Sequence, residues 1–216
     1  MDKSSNSTKD RTKKKYDIKH IITIQKYIRG FLVRKHILIP PAFYQTKHWR
    51  KNMKWYKNGK SNECETYQNS LIEKILNTKP SKTNDRINME TLEIKDNKNP
   101  MTRNDGFEWS ENFDGKFVKK KNTFYFNLKF VCDKGGAQTR TLREAYHFIK
   151  CQIKYLYKSG DKYTYFINIL DGDTCFHNMN KFTYLIEKYK PDTKYIFIGS
   201  LHDFQKSKFL QDMHII

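Results

Sequence analysis

Residues 122–132, NTFYFNLKFVC, constrain the fold of this chain more than any other stretch. Phe124, Phe126, Leu128 and Phe130 lie on one face of an extended chain, and Tyr125, Asn127, Lys129 and Val131 on the other. That period of two marks a β-strand. The strand is set in an alternation. CETYQNSLIEKILNT (64–78) precedes it as a helix with Leu71, Ile72, Ile75 and Leu76 on one side, and GFEWSENFDGKFV (106–118) precedes it as a first strand. A helix follows, TLREAYHFIKCQIKYLYK (141–158), then a strongly hydrophobic strand, KYTYFINILDG (162–172). A further helix, FHNMNKFTYLIEKY (176–189), leads to a last strand, KYIFIGSL (194–201). Strands that alternate with helices predict an α/β domain over residues 64–205, a mixed β-sheet flanked by helices. Residues 78–104 are polar, contain Pro80 and Pro100, and read as an ordered excursion or loop, while residues 206–216 read as a short charged C-terminal tail.

Charge divides the chain differently. Net charge is +19, from 42 Lys/Arg against 23 Asp/Glu. Residues 1–60 hold 17 and 3 of these, or +14, and residues 61–216 hold 25 and 20, or +5. The excess is N-terminal, and it favours a polyanion: nucleic acid, an anionic membrane surface or an acidic protein. Residues 1–15 are polar, charged and aperiodic, as in a disordered basic tail. Residues 40–63 mix Phe43, Tyr44, Trp49, Trp55 and Tyr56 with basic groups, and read as a basic–aromatic linker or as a helix laid against the domain. Cys64, Cys132, Cys151 and Cys175 show neither CxxC nor zinc-finger spacing, which leaves reduced, mostly buried thiols. No apolar run reaches the ~18 residues of a membrane span, and MDKSSNSTKDRTKKK lacks the apolar core of a secretion signal. These features predict a soluble intracellular protein, cytoplasmic or nuclear.

Residues 16–39 switch to helical periodicity. Ile21, Ile24, Ile28 and Phe31 recur at spacings of three and four, Ile22 and Leu32 widen the stripe, and Pro40-Pro41 stops it. Inside this basic helix, Ile24-Gln25, Arg29-Gly30, Arg34 and Ile37 resemble the IQ motif of calmodulin-binding proteins: apolar-Gln, three residues, basic-Gly, three residues, basic, two residues, apolar. The resemblance implies docking on calmodulin or an EF-hand light chain. The physics suits that task. An apolar helical stripe fits the groove of an EF-hand lobe, the arginines meet its acidic rim, and Gln25 can bond partner backbone. Gly30 allows close approach despite costing a helix about 1 kcal/mol. The same stripe would also serve a helix packed on its own domain, or one lying on a membrane surface.

The strand pair carries a second pattern. Asp114 lies near the end of the first strand and Asn127-Leu128-Lys129 in the middle of the second. With ENFDGKF, FNLKFVCDKGGAQTRTLREAYHFI and FINILDGD, these residues resemble the restriction-endonuclease-like (PD-(D/E)xK, type II) nucleases over residues 64–205. The resemblance implies a Mg²⁺-dependent DNA endonuclease. Asp114 would hold the metal, which favours hard oxygen ligands and acidifies the attacking water. Lys129 would orient that nucleophile, and Asn127, two residues earlier, projects to the same side of the strand. The family has Asp or Glu at the position of Asn127. The missing acid would come from Glu73 on the first helix, or from Glu111 or Glu144; otherwise the domain binds DNA without cutting it. Gly135-Gly136 suits a tight turn, and Thr139 or Thr141 can cap the next helix. Gln138, Arg140 and Arg143 then stand at a helix N-terminus, where phosphate is favoured. Asp171-Gly172-Asp173 reads as a turn and helix start.

Two function classes follow: an IQ-docked endonuclease, and a non-enzymatic IQ-docking protein whose α/β domain is inactive or only binds nucleic acid. A docking motif that presupposes a calmodulin-bearing host, joined to a restriction-type core in an AT-rich composition, points to a large DNA virus of a eukaryote as the source.

Overall fold

The computed structural model of the chain describes residues 22–25, 28, 39–52, 61–96, 102–103, 106–107, 109–132 and 135–212. The expected tail over 1–15 lies outside them, as does most of the expected helix over 16–39. The architecture is mixed α/β. Its centre is a four-stranded sheet in the order β6 (Gly115–Lys119), β7 (Asn122–Phe130), β8 (Thr164–Asp171), β9 (Ile196–Gly199). β6 and β7 form an antiparallel hairpin, whereas β7–β8 and β8–β9 are parallel. β8 is buried at every position. It is a central parallel strand covered on both faces, which explains why its sequence is an unbroken apolar run rather than an alternation.

The alternation in β7 sorts its side chains into two cores. Phe124, Phe126 and Leu128 face α2 (Ser61–Leu76), where Leu71, Ile72, Ile75 and Leu76 meet them. Two short C-terminal helices complete that core: α6 (Leu201–Lys206) gives Leu201 and Phe204, and α7 (Lys208–Asp212) gives Phe209 and Leu210. Residues expected as a charged tail thus include buried apolar groups. Tyr125 points the other way, into a core built with Ala145, Phe148, Ile149 and Ile153 of α3 (Gly136–Ser159) and Phe182 and Leu185 of α5 (Met179–Tyr189). Helices on both faces leave the sheet in a three-layer sandwich. α3 has 24 residues, about 36 Å at 1.5 Å per residue. It ends at Gly160 in the left-handed conformation (φ 60°), the usual role of glycine past a helix terminus.

The excursion expected over 78–104 is partly extended. β1 (Asp85–Asn88) pairs antiparallel with β2 (Ile94–Asp96) and with β5 (Ser110–Asn112), and β3 (Thr102–Arg103) pairs with β4 (Gly106–Phe107). The expected strand over 106–118 is therefore broken in three: β4 pairs with β3, β5 belongs to the small three-stranded sheet and β6 to the large one. The chain crosses from β5 to β6 at Phe113 and Asp114. Phe113 N–H donates to the Asp85 carbonyl (3.1 Å), and Asp114 N–H donates to the Phe126 carbonyl (2.8 Å). Asp85 itself accepts from Lys116 Nζ (2.6 Å) and Tyr125 OH (2.7 Å), which ties the two sheets together.

Residues 42–52 form a helix, α1 (Ala42–Asn52), fixed to the domain. Trp49 is 1% exposed, stacked on Phe130 at 4.2 Å and edge-on to Tyr67 at 4.8 Å. Gln45 Nε2 donates to Asp171 Oδ1 (2.6 Å), and Gln45 Oε1 accepts from Gly172 N–H (2.9 Å). Gln68 Nε2 and Leu201 N–H complete the buried Asp171 carboxylate at 2.7 and 3.0 Å. Just before α1, Ile39 is buried, and its carbonyl lies 2.7 Å from His202 Nδ1. Gly172, between β8 and the short helix α4 (Asp173–His177), has φ 93°, and a Cβ there would stand 2.2 Å from the Val131 carbonyl oxygen. No other residue fits that crossing.

Candidate functional site

Asp114 and Lys129 come together. Their carboxylate and ammonium are 3.8 Å apart, each partly exposed. Asp114 Oδ2 also accepts the Leu128 N–H at 2.6 Å. The local cause is the strand break. Phe113 has turned away to the small sheet, so β7 has no carbonyl opposite Leu128, and the Asp114 side chain takes that amide instead. A buried amide without a partner costs roughly 1–3 kcal/mol, so Asp114 has a structural task independent of any chemistry. Burial pushes its carboxyl above the usual range, against the pull of the Lys129 charge and the Leu128 amide. Two further acids feel the pair. Glu65 on α2 is raised by burial and then by the Asp114 charge, with Lys129 opposing. Glu111 on β5 is raised by burial, with Lys129 opposing and with Glu144 and Asp114 adding to the rise. One lysine thus sits among several partly desolvated carboxyls, a pattern concentrated at functional sites.

Two expected members stand elsewhere. Glu73 is exposed on α2, eight positions beyond Glu65 and so about 12 Å further along the helix axis. Glu65 is the helical acid whose charge couples to Asp114; the sequence shows both on one helix but not which phase the sheet selects. Asn127 is 1% exposed. Its Nδ2 donates to Asn168 Oδ1 (2.8 Å) on the adjacent parallel strand, and Asn168 Nδ2 donates to Gln152 Oε1 (2.7 Å) on α3. This ladder runs under α3 and holds the Asn127 amide inside the domain, while its Oδ1 is left without a hydrogen-bond partner. Magnesium calls for a compact set of hard anionic oxygens. Among the described residues no three His, Cys, Asp or Glu side chains gather to hold a metal ion. Asp114 Oδ2 is already committed to an amide and faces an ammonium. Among the described residues the pair is thus an ion pair seated on a backbone amide, not a set of anionic oxygens.

The N-terminus of α3 carries Gln138, Arg140 and Arg143 as expected, all in its first two turns. Gln138 and Arg143 line a groove of about 800 Å³ between α3 and the α4–α5 segment, together with Tyr146, Asn178, Lys181 and Tyr184. Arg140 is exposed on the same helix and does not line it. Lys181 and Tyr184 are 38 or more positions away from Arg143 in sequence. Nothing in their local pattern could announce that they share a groove with it.

Of the expected docking residues, Ile24 and Gln25 are described and helical, together with Ile22, Thr23 and Ile28. Ile22, Ile24 and Ile28 are 46%, 57% and 52% exposed, so the domain does not cover the apolar stripe at these positions. Arg29, Gly30, Arg34 and Ile37 lie outside the described residues. A family model for the IQ calmodulin-binding motif matches residues 18–38, which is 21 of the chain's 216 residues. No curated protein and no solved structure matches the chain. Among the described residues no helix is long and apolar enough to cross a membrane.

Proposed function

We propose that this protein docks on calmodulin or a related EF-hand protein through residues 18–38 and thereby attaches the α/β domain to that partner. The match of that segment to the IQ motif carries the reading, and the outward-facing Ile22, Ile24 and Ile28 support it. Ile24 and Ile28, four apart and exposed, are the kind of anchors a lobe's hydrophobic groove takes. Isothermal titration of the full chain with calmodulin, with calcium and with chelator, is the test. Ile24→Glu with Gln25→Ala should weaken binding at least tenfold, about 1.4 kcal/mol, at moderate salt. A double variant that binds like wild type shows that the basic charge, and not the motif, was binding.

The α/β domain supports a second reading, as a restriction-endonuclease-like scaffold that handles nucleic acid without cutting it. The order of elements supports the scaffold: a helix, an antiparallel hairpin bearing Asp114 and Lys129, then helices alternating with parallel β8 and β9. The Asn127 ladder supports the absence of cleavage, because the position the family gives to an acid here joins strand to strand and strand to helix. A plasmid-nicking assay with Mg²⁺ or Mn²⁺ tests this directly. Metal-dependent nicking that disappears in Asp114→Ala reverses the reading in favour of an endonuclease.

A further inference from the structure

The groove between α3 and α5 differs from the rest of the domain surface in three ways that converge. It lies beyond the C-terminal ends of two parallel strands: Gly135 follows β7, and Thr174 and Asn178 follow β8. Open α/β sheets bind ligands at the carboxyl ends of their strands, and the groove lies at that end of this sheet. Its charge has one sign. Arg143 and Lys181 line it, and among the described residues no Asp or Glu does. In a domain where residues 61–216 carry 20 acids against 25 bases, a groove of this size without an acid selects for an anion. Its apolar part is aromatic. Tyr146 rests against buried Phe182, with ring centroids 6.3 Å apart, and Tyr184 is 49% exposed at the groove, with Lys188 Nζ 5.7 Å from its ring centroid.

A ring next to a cation describes a particular ligand chemistry. Planar bases stack on tyrosine, and the phosphate that follows each base needs a cation a few ångströms away. We propose that this groove binds a nucleotide unit of single-stranded nucleic acid, its base against Tyr184 or Tyr146 and its phosphate on Arg143 and Lys181. Gln138 offers an amide, donor and acceptor together, to the edge of a base, and Asn178, whose Nδ2 donates to the Thr174 carbonyl (2.8 Å), adds its side-chain oxygen. The assignment rests on reading the domain as one that handles nucleic acid, and it adds the site, the strandedness and the contacts.

Fluorescence anisotropy of the full chain with a short fluorescein-labelled single-stranded oligonucleotide tests it. Arg143, Lys181 and Tyr184 are exposed, so their replacement leaves the cores intact. Tyr184→Ala should weaken binding about tenfold at every salt concentration, as expected for a lost stack. Arg143→Ala with Lys181→Ala should weaken it and lower the slope of log affinity against log salt by roughly 0.7, one phosphate neutralised on a single strand. Lys79→Ala with Lys162→Ala, two exposed lysines outside the groove, should leave both quantities near wild type. Adenosine monophosphate as competitor separates the two sources of this chemistry: displacement identifies a free nucleotide, and failure to displace identifies the strand. Groove variants that bind like wild type, or a control pair that costs as much as Arg143→Ala with Lys181→Ala, overturn the proposal. Either result leaves the nicking assay unaffected, so this site and the non-cleaving reading fail separately.

Discussion

Asp171 is a carboxylate held by amides. Gln45, Gln68 and the Leu201 N–H donate to it, and burial raises it from an ordinary 3.8 to about 6 despite those bonds. A raised folded-state value means that the fold prefers the neutral acid. The contribution is fully present below the unfolded value and is lost as pH rises through about 6. Two units correspond to on the order of 3 kcal/mol. Asp171→Asn removes the charge and keeps an acceptor for Gln45 and Leu201, while Gln68, whose Oε1 has no partner, can turn its oxygen toward the new amide. The variant should therefore gain on wild type by a few kcal/mol between about pH 4 and pH 7. Urea unfolding across that range measures the gain, and a difference independent of pH contradicts the assignment. Asp85 works in the opposite direction. Burial would raise it, but the bonds from Lys116 and Tyr125 outweigh that and hold it low. Its stabilisation is present above the usual carboxylate value and is lost as pH falls. Asn127 is the third telling residue: its identity is legible in the sequence as a departure from a nuclease pattern, but its hydrogen bonds to Asn168 and through it to Gln152 are not, since they span 41 and 16 positions.

At the scale of elements, the attachment of α1 rests, among the described residues, on one buried apolar side chain, Trp49, and a few hydrogen bonds. Trp49 fills the space between Phe130 and Tyr67, and Trp→Ala at such a site costs about 3–5 kcal/mol. Trp49→Ala should lower the unfolding midpoint and detach α1, so limited proteolysis should then cut within residues 39–60. Unchanged stability would show that α1 is not part of the cooperative unit. The sequence left this helix open, as linker or docked element, because its apolar groups are few and its basic groups dominate. β7, α2, α3 and α5 were legible because each is long enough to display its period of two or 3.6, and β8 because its apolar run is unbroken. The small sheet was not. β1, β2 and β5 have 4, 3 and 3 residues, too short to show alternation, and their pairing depends on non-local contacts. The C-terminal helices hid for a related reason: Phe204, Phe209 and Leu210 stand among charged residues that face water. The acid–lysine pair was legible because hairpin pairing brings Asp114 near Leu128 and Lys129. The choice of Glu65 over Glu73 was not, because it depends on how α2 is rotated on the sheet.

For the whole molecule, the segment that matches the IQ motif ends next to a residue fixed on the domain. Residue 38 ends the IQ match, and Ile39, the very next residue, is buried with its carbonyl against His202. Gln45 and Thr46 then bond to Gly172 and Asp173. A flexible linker would lengthen this separation as the square root of its residue count; here the count is zero. The consequence is hydrodynamic. A partner gripping residues 18–38 should not swing about the domain but reorient with it, so the complex tumbles as one particle. Time-resolved anisotropy of labelled calmodulin should show a single slow correlation time near that of the full assembly, and inserting a Gly/Ser segment between residues 38 and 39 should add a fast component. A fast component already present in the uninterrupted chain would show that the partner rotates independently of the domain.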